Sequence, residues 1–336
     1  MSMAADSART DAAGFRPIGL ILLAMLGFTV QDVAVKLVAE DISIWQMQLV
    51  RSAAVLGLLA LYAYVIGRRG ELIPRRWRWP TIRAVVMAGA YLFFYASLPF
   101  LSLAQAASAF FVGPLLITLF ATVLLGEPIG PRRLIAVGVG FLGVLVIVRP
   151  GTEGWSPISL MPVAAAACYA LGMVLTRWRC RDEPGLALTF THNIFYTALG
   201  AVGVLVLPLL PIAEETRSGA PFLFNGWLTL GLLPLTLLLL TAGTHMVGML
   251  CSVAAYRDAE ASRIAPFEYS YLVLMPLFDL AIWGIWPDVW TLLGMALIIA
   301  AGGFVAWREG RPARPRVQFK GEVPWTPDSE GGKPGA

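Results

Sequence analysis

Residues 75–133 read RRWRWPTIRAVVMAGAYLFFYASLPFLSLAQAASAFFVGPLLITLFATVLLGEPIGPRR, and their reading decides the fold. Two apolar stretches, residues 82–100 and 102–125, stand almost end to end, and arginines cluster at both outer ends of the pair. An aliphatic helix of roughly 20 residues satisfies its own backbone hydrogen bonds inside a bilayer core. Cationic connections are retained on the cytoplasmic side during insertion. The stretch therefore reads as a membrane hairpin whose two arginine-bearing ends share a side.

The same alternation extends in both directions. Lys and Arg collect in the N-terminal tail (Arg9, Arg16), the Arg68–Arg83 connection, the pair Arg132 and Arg133, the Arg177–Arg181 connection, Arg257 with Arg263, and the C-terminal tail. Only Lys36, Arg51, Arg149 and Arg217 fall outside this set. The spans are predicted at residues 17–38, 44–66, 82–100, 102–125, 132–149, 157–177, 186–208, 227–255, 261–285 and 288–307. This predicts a multi-pass protein of the cell inner membrane with both termini cytoplasmic.

Composition agrees. The chain is 58% hydrophobic with only 14% charged residues, against about 25% charged in soluble proteins, and its mean hydropathy is +0.73. A net charge of +4 does not indicate nucleic-acid binding, because the basic residues are spread through connections rather than gathered on one face. They suit contact with anionic lipid headgroups. Cys168, Cys180 and Cys251 lack metal-ligand spacing and read as small core residues. The first apolar run lacks a small-residue cleavage site and is expected to remain as a membrane helix. No phosphate loop, nucleophile elbow or His/Cys metal set is present, which argues against a pump or an enzyme and predicts no cofactor.

Pro114, Pro162, Pro234, Pro266 and Pro276 lie inside predicted spans and should kink or break them. Gly138, Gly140, Gly143, Gly302 and Gly303 allow close helix approach, within one chain or between two, so monomer and homodimer both remain open. The organisation reads as a disordered cytoplasmic tail (1–16), a first five-helix half (17–150), a second (151–309) and a disordered cytoplasmic tail (310–336). An odd number of spans per half inverts the second half relative to the first. Ala104-Gln105-Ala106-Ala107-Ser108 with Pro114 is echoed by Ala259-Glu260-Ala261-Ser262-Arg263 with Pro266, and each precedes a long apolar span that closes on a glycine, Gly126 or Gly284. The predicted fold is an all-α membrane protein of ten transmembrane helices, two inverted five-helix repeats around a central cavity.

Asp32-x-x-x-Lys36 with Gln48-Leu49-Val50-Arg51, Ala106-Ala107-Ser108 with Leu125-Gly126-Glu127-Pro128, the run Ala259–Ser270, and Pro287-Asp288 through Gly294 together resemble the EamA-type branch of the drug/metabolite transporter superfamily. The resemblance covers nearly the whole membrane part, and the run Ala259–Ser270 is its most specific element. It implies inverted five-helix repeats that move small organic solutes across the inner membrane. The family has a Glu after the glycine in both halves; here the first half keeps Glu127 but the second has Ile285, which favours a structural role for Glu127.

Ionisable groups within a span cost several kcal/mol unless paired or hydrated, so each is a functional candidate. Asp32 and Lys36 share a helical face and can neutralise one another, with Arg51 joining them. They read either as an ion cluster locking two helices or as a gate or anion-recognition site. Glu268, beside Pro266 and amid Phe267, Tyr269 and Tyr271, is the sharper candidate. It could bind a substrate amine or carry a coupling proton, or simply bond a neighbouring helix. His192-Asn193 and His245 could serve proton linkage, or bond backbone carbonyls. Gln105, Tyr91, Tyr95, Tyr169, Tyr196 and Trp45 would suit a cavity that stacks a flat or amphipathic solute; packing or an interfacial belt are their other uses. Asp279 reads as structural, and Trp283, Trp286 and Trp290 as belt residues.

The function expected is a secondary transporter moving a small organic metabolite, amino-acid-like or amphipathic, by alternating access. Asp32-x-x-x-Lys36 with the later Gln and Arg also resembles uptake carriers for a flat cofactor-like solute such as riboflavin or S-adenosylmethionine. A non-transporting assembly protein with a carrier fold is the reading from another class. The expected partners are a small-molecule substrate, the lipid bilayer and a coupling proton, with no nucleic acid.

Overall fold

The computed structural model describes residues 2–126, 129–153, 155–258, 264 and 267–309. Over these residues the protein is all-helical, with no strand. Its principal helices are α1 (Ser2–Val38), α2 (Ile44–Val65), α3 (Arg78–Ser97), α4 (Leu103–Phe110), α5 (Gly113–Leu125) and α6 (Pro131–Val148). The later ones are α7 (Met161–Arg179), α8 (Gly185–Val206), α9 (Leu232–Asp258), α10 (Ser270–Trp283) and α11 (Val289–Glu309). Glu127, Pro128, the Ala259–Arg263 motif, Pro266 and the tail from residue 310 lie outside the described residues.

Six stretches are long and apolar enough to cross a membrane: Arg16–Val38, Ile44–Val65, Leu103–Leu125, Pro157–Arg179, Gly185–Leu209 and Leu232–Ser252. Leu134–Val148, Ser270–Trp283 and Val289–Val305 are shorter apolar helices. The remaining predicted span, α3, is less apolar because Arg83 lies within it; that guanidinium is buried and donates to Thr176 Oγ1 at 2.5 Å. Packing is inverted relative to a protein in water. Val65, Val123, Leu205 and Leu232 are 70% exposed or more, whereas Asp32, Gln46, Gln48 and Arg51 are buried. An aliphatic exterior around a polar interior is the arrangement a hydrocarbon solvent selects. This is a multi-pass membrane protein.

Helix α1 begins at Ser2, within the segment expected as an N-terminal tail. One expectation is corrected by the helix boundaries. The prolines mostly start helices rather than kink them. Pro114 and Pro162 occupy the first turns of α5 and α7, where a missing N–H costs little, and Pro234 lies in the first turn of α9. Pro276 does lie within a helix, α10. The fourth span is broken at Phe111-Val112 into α4 and α5.

The helices pair lengthwise as α1 with α9, α2 with α8, α3 with α7, and α6 with α11; α4 reaches α7 and α10. Contacts between connections define two ends. At the arginine-poor end, Ser43 Oγ donates to Gly226 O (2.5 Å), Trp45 Nε1 to Leu223 O (2.8 Å) and Gln46 Nε2 to Leu228 O (2.7 Å). At the arginine-rich end, the Glu183 carboxylate accepts from the backbone N–H groups of Arg75 (2.6 Å) and Arg76 (2.9 Å).

The closest backbone approach along α6 and α11 is at Gly143 and Gly294. A Cβ on Gly294 would stand 2.6 Å from the Gly143 carbonyl oxygen, and one on Gly143 would stand 2.9 Å from that of Gly294. Neither residue can carry a side chain without parting the helices. Gly294→Val is expected to destabilise the protein by about 1–3 kcal/mol, read as a lower melting temperature in detergent. Gly138, which has open space around its Cβ position, should accept Ala without change. An unaltered melting temperature for Gly294→Val would mean that α6 and α11 do not meet there.

Candidate functional site

Asp32 lies within α1, about 9 Å along the axis from its C-terminal end. It is buried, and three groups donate to its carboxylate. Tyr95 Oη reaches Oδ1 at 2.8 Å, Gln31 Nε2 reaches the same oxygen at 3.2 Å, and Tyr271 Oη bonds Oδ2. Gln31 also donates to Tyr95 Oη at 2.5 Å. The Gln31 carbonyl accepts from His245 Nδ1 at 3.0 Å, a bond that places the imidazole proton on that nitrogen. Helices α1, α3, α9 and α10 thus converge on one carboxylate.

Aromatic rings surround this network. Tyr91 and Tyr95, one turn apart on α3, have centroids 5.6 Å apart. Tyr91 faces Tyr196 at 4.8 Å, and His192, one turn before Tyr196 on α8, lies 4.7 Å from it. Tyr271 stacks on Phe111 at 5.4 Å and 21°. Phe111 sits in the break between α4 and α5, so that discontinuity delivers a ring to the site. Arg51 from α2 lies over the rings of Tyr91 (4.8 Å) and Tyr95 (5.1 Å), and its Nη2 donates to Gln48 Oε1 at 2.8 Å.

Lys36 does not pair with Asp32, contrary to the expectation from their spacing. Its ammonium donates to Leu101 O (3.0 Å) and Asp279 Oδ1 (3.4 Å) and lies 4.8 Å from the Trp283 ring centroid. The other oxygen of Asp279 accepts from Ala104 N at 2.8 Å, in the first turn of α4, where a helix favours negative charge. The long lysine side chain reaches towards the helix end, and the carboxylate it finds comes from α10. Asp32 and Lys36 therefore belong to two sites, the first in the aromatic interior and the second at the arginine-poor end. Arg51 keeps company with the first.

The other candidates are dispersed. Glu268 is half-buried in the short helical segment just before α10. Tyr169 lies 5.6 Å from Phe110, and Tyr269 lies 5.6 Å from Phe111. Gln105 closes a capping box with Ser102 at the start of α4 and lines a cleft of about 280 Å³ at the arginine-poor end, along with Arg149 and Glu153. Asn193 Nδ2 donates to Thr189 O at 2.9 Å, within its own helix. Trp45 anchors the connection at Leu223. Gln31 was missed, although a glutamine beside an intramembrane aspartate was the available signal.

Residues 16–149 match the EamA-like transporter family. An uncharacterized transporter of Helicobacter pylori is 27% identical over 294 residues, covering 86% of this chain and 94% of that one. The first part of the chain is thus similar to the EamA-like transporter family, and relatives that align along most of its length are named as transporters. A riboflavin transporter of Rhizobium johnstonii is 29% identical over 238 residues (71% and 72% of the two chains). An S-adenosylmethionine uptake transporter of Rickettsia felis is 27% identical over 196 residues (58% and 60%). A solved crystal structure shares the fold at a TM-score of 0.50 and 18% identity, covering 88% of this chain and 99% of that one. The family match holds Asp32, Arg51, Tyr91 and Tyr95, while His192, Tyr196, His245 and Tyr271 lie beyond it.

The Lys36–Asp279 pair is nearly dry, with side-chain exposures of 12% and 0%. Lys36→Met leaves a buried carboxylate unpaired and should cost about 3 kcal/mol. Adding Asp279→Asn, which can still accept from Ala104, should recover most of the loss. Thermal melts of the two single variants and the double variant test this; simple additivity would show that the pair does not interact.

Proposed function

We propose that this chain is a secondary carrier of ten spans in two inverted halves, working by alternating access on a flat, cofactor-like solute bound at the Asp32 network. Alpha4 with α5 counts as the fourth span, and the segment entering α10 belongs to the ninth. The pairing of helices supports the repeat. Adding five to each span number turns the pair 1–8 into 6–3, the pair 3–7 into 8–2, and the pair 4–6 into 9–1. The pairs 2–7, 4–9 and 5–10 map onto themselves. Gly126 and Gly284 end the fourth and ninth spans in the same left-handed conformation, with φ of +69° and +66°. Binding sites at such repeat interfaces are a recurring solution in secondary transporters. By its arginines, the arginine-rich end faces the cytoplasm of an inner membrane, with both termini on that side.

The observation that carries the solute class is the concentration of rings about one carboxylate, with Tyr91, Tyr95, Tyr196, Tyr271 and Phe111 contributed by three helices and a helix break. Rings at 4.8–5.6 Å spacing provide stacking faces, and Asp32 provides an acceptor for a ring N–H or a cationic centre. The relatives named for riboflavin and S-adenosylmethionine support this class. The amino-acid-like reading keeps one observation: Asp32 and Arg51 could meet an ammonium and a carboxylate. Glu268, near the arginine-rich end, is the group proposed to carry a coupling proton.

Uptake into proteoliposomes tests the reading. Riboflavin or S-adenosylmethionine should accumulate, and Asp32→Asn should slow uptake tenfold or more. Full activity in Asp32→Asn, or transport of amino acids alone, would overturn it. Proton coupling is checked separately: flux should respond to an imposed pH gradient and lose that response in Glu268→Gln. Indifference of the wild type to the gradient would leave exchange or facilitated diffusion.

A further inference from the structure

We infer that Gln48, Arg51 and His192 form a second wall of the pocket, which takes the hydrogen-bond-accepting edge of the solute: ring carbonyls or a carboxylate. This rests on the pocket reading above and adds to it a part of the solute that Asp32, itself an acceptor, cannot hold.

Three buried side chains carry it. Gln48 is fully buried; its carbonyl is held by Arg51, and its Nε2 has no partner. Arg51 is 3% exposed, and one of its terminal nitrogens, Nη1, also has none. His192 is 8% exposed, and neither ring nitrogen is bonded. A buried donor without an acceptor is costly, and most buried polar groups in proteins are paired. Here three neighbouring residues depart from that rule around a single ring: Arg51 lies 4.8 Å from the Tyr91 centroid, and His192 lies 6.5 Å from it.

Charge points the same way. Among the described residues no carboxylate lies within ion-pair distance of the Arg51 guanidinium; Asp32 acts on it only at longer range. Two tyrosine faces compensate a buried cation only in part. The Gln48–Arg51 bond fixes both side chains one turn apart on α2, so their free N–H groups form a preset donor pair. A carboxylate would use these two donors. A ring imide, acceptor–donor–acceptor, would use them for its two carbonyls and the basic nitrogen of His192 for its N–H.

The experiment measures binding of riboflavin, which carries a ring imide, and of S-adenosylmethionine, which carries a carboxylate, to the purified full chain by titration calorimetry. Each variant is also melted without ligand. Arg51→Met and Gln48→Leu should each weaken the bound probe tenfold or more while a cooperative ligand-free melt is retained, its midpoint lowered by no more than the loss of the Gln48–Arg51 bond. His192→Phe should weaken riboflavin alike and leave S-adenosylmethionine unchanged, which identifies the edge in use. Wild-type affinity in Arg51→Met or Gln48→Leu would overturn the inference, as would loss of a cooperative ligand-free melt in both, which would make the pair a structural element. If Asp32→Asn abolishes binding while these two variants bind normally, the pocket stands and the donor wall falls. If Asp32→Asn also binds normally, or the wild type binds neither probe, the pocket falls with it.

Discussion

A carboxylate inside a bundle that hydrocarbon surrounds keeps its charge only if the protein replaces its water. Asp32 has three donors doing so, from Tyr95, Tyr271 and Gln31, and these donors fix the positions of α1, α3 and α10 relative to one another. His245 extends the network to α9 through Gln31. Hydrogen bonds to a charged group contribute roughly 1.5–3 kcal/mol each, about twice a neutral one. No apolar contact in the bundle is as directional. Apolar packing brings the helices together, and the carboxylate selects their register.

The same constraint organises the ends. Lys36–Asp279 and Arg149–Asp288 (2.5 Å) both join the first half of the chain to the second at the arginine-poor end. At the opposite end the cross-half contacts include the exposed Glu183 with the Arg75 and Arg76 backbone and the buried Arg83 with Thr176. Exposed charged contacts contribute about 1 kcal/mol or less, whereas opening the dry Lys36–Asp279 pair would unpair a buried carboxylate and release the first turn of α4.

Helix positions were legible because hydropathy in a membrane is close to a direct readout of burial in lipid. The ends of α2, α6 and α8 fall within two residues of their predicted limits. Partners were less legible. Spacing along one helix correctly put Asp32 and Lys36 on a common face, but the lysine's reach and the position of Asp279, 243 residues away, decided the pairing. Gln105 does line a cleft, but at the arginine-poor end; helix α4 starts there, and the Ser102 backbone N–H also claims its side chain. Asn193 was claimed by its own helix in the same way. Tyr95 and Tyr271, named from the sequence, do meet at the site, although nothing in their local sequence shows that they meet on Asp32.

The proposed repeat and the site obey different symmetries. Pro17-Ile18-Gly19-Leu20, inside α1, and Pro157-Ile158-Ser159-Leu160, leading into α7, share a pattern, and this register sets Gly172 opposite Asp32 and Thr176 opposite Lys36. Gly172 is packed against Met87, so the place that holds a carboxylate in one half admits a neighbouring side chain in the other. Thr176 meets Arg83 instead of an acid. Two equivalent carboxylates facing each other across the pseudo-axis would repel in a low dielectric. A symmetric frame around one asymmetric solute therefore requires the halves to differ at the centre, where they share one pocket, while they remain alike at the helix pairings that position it.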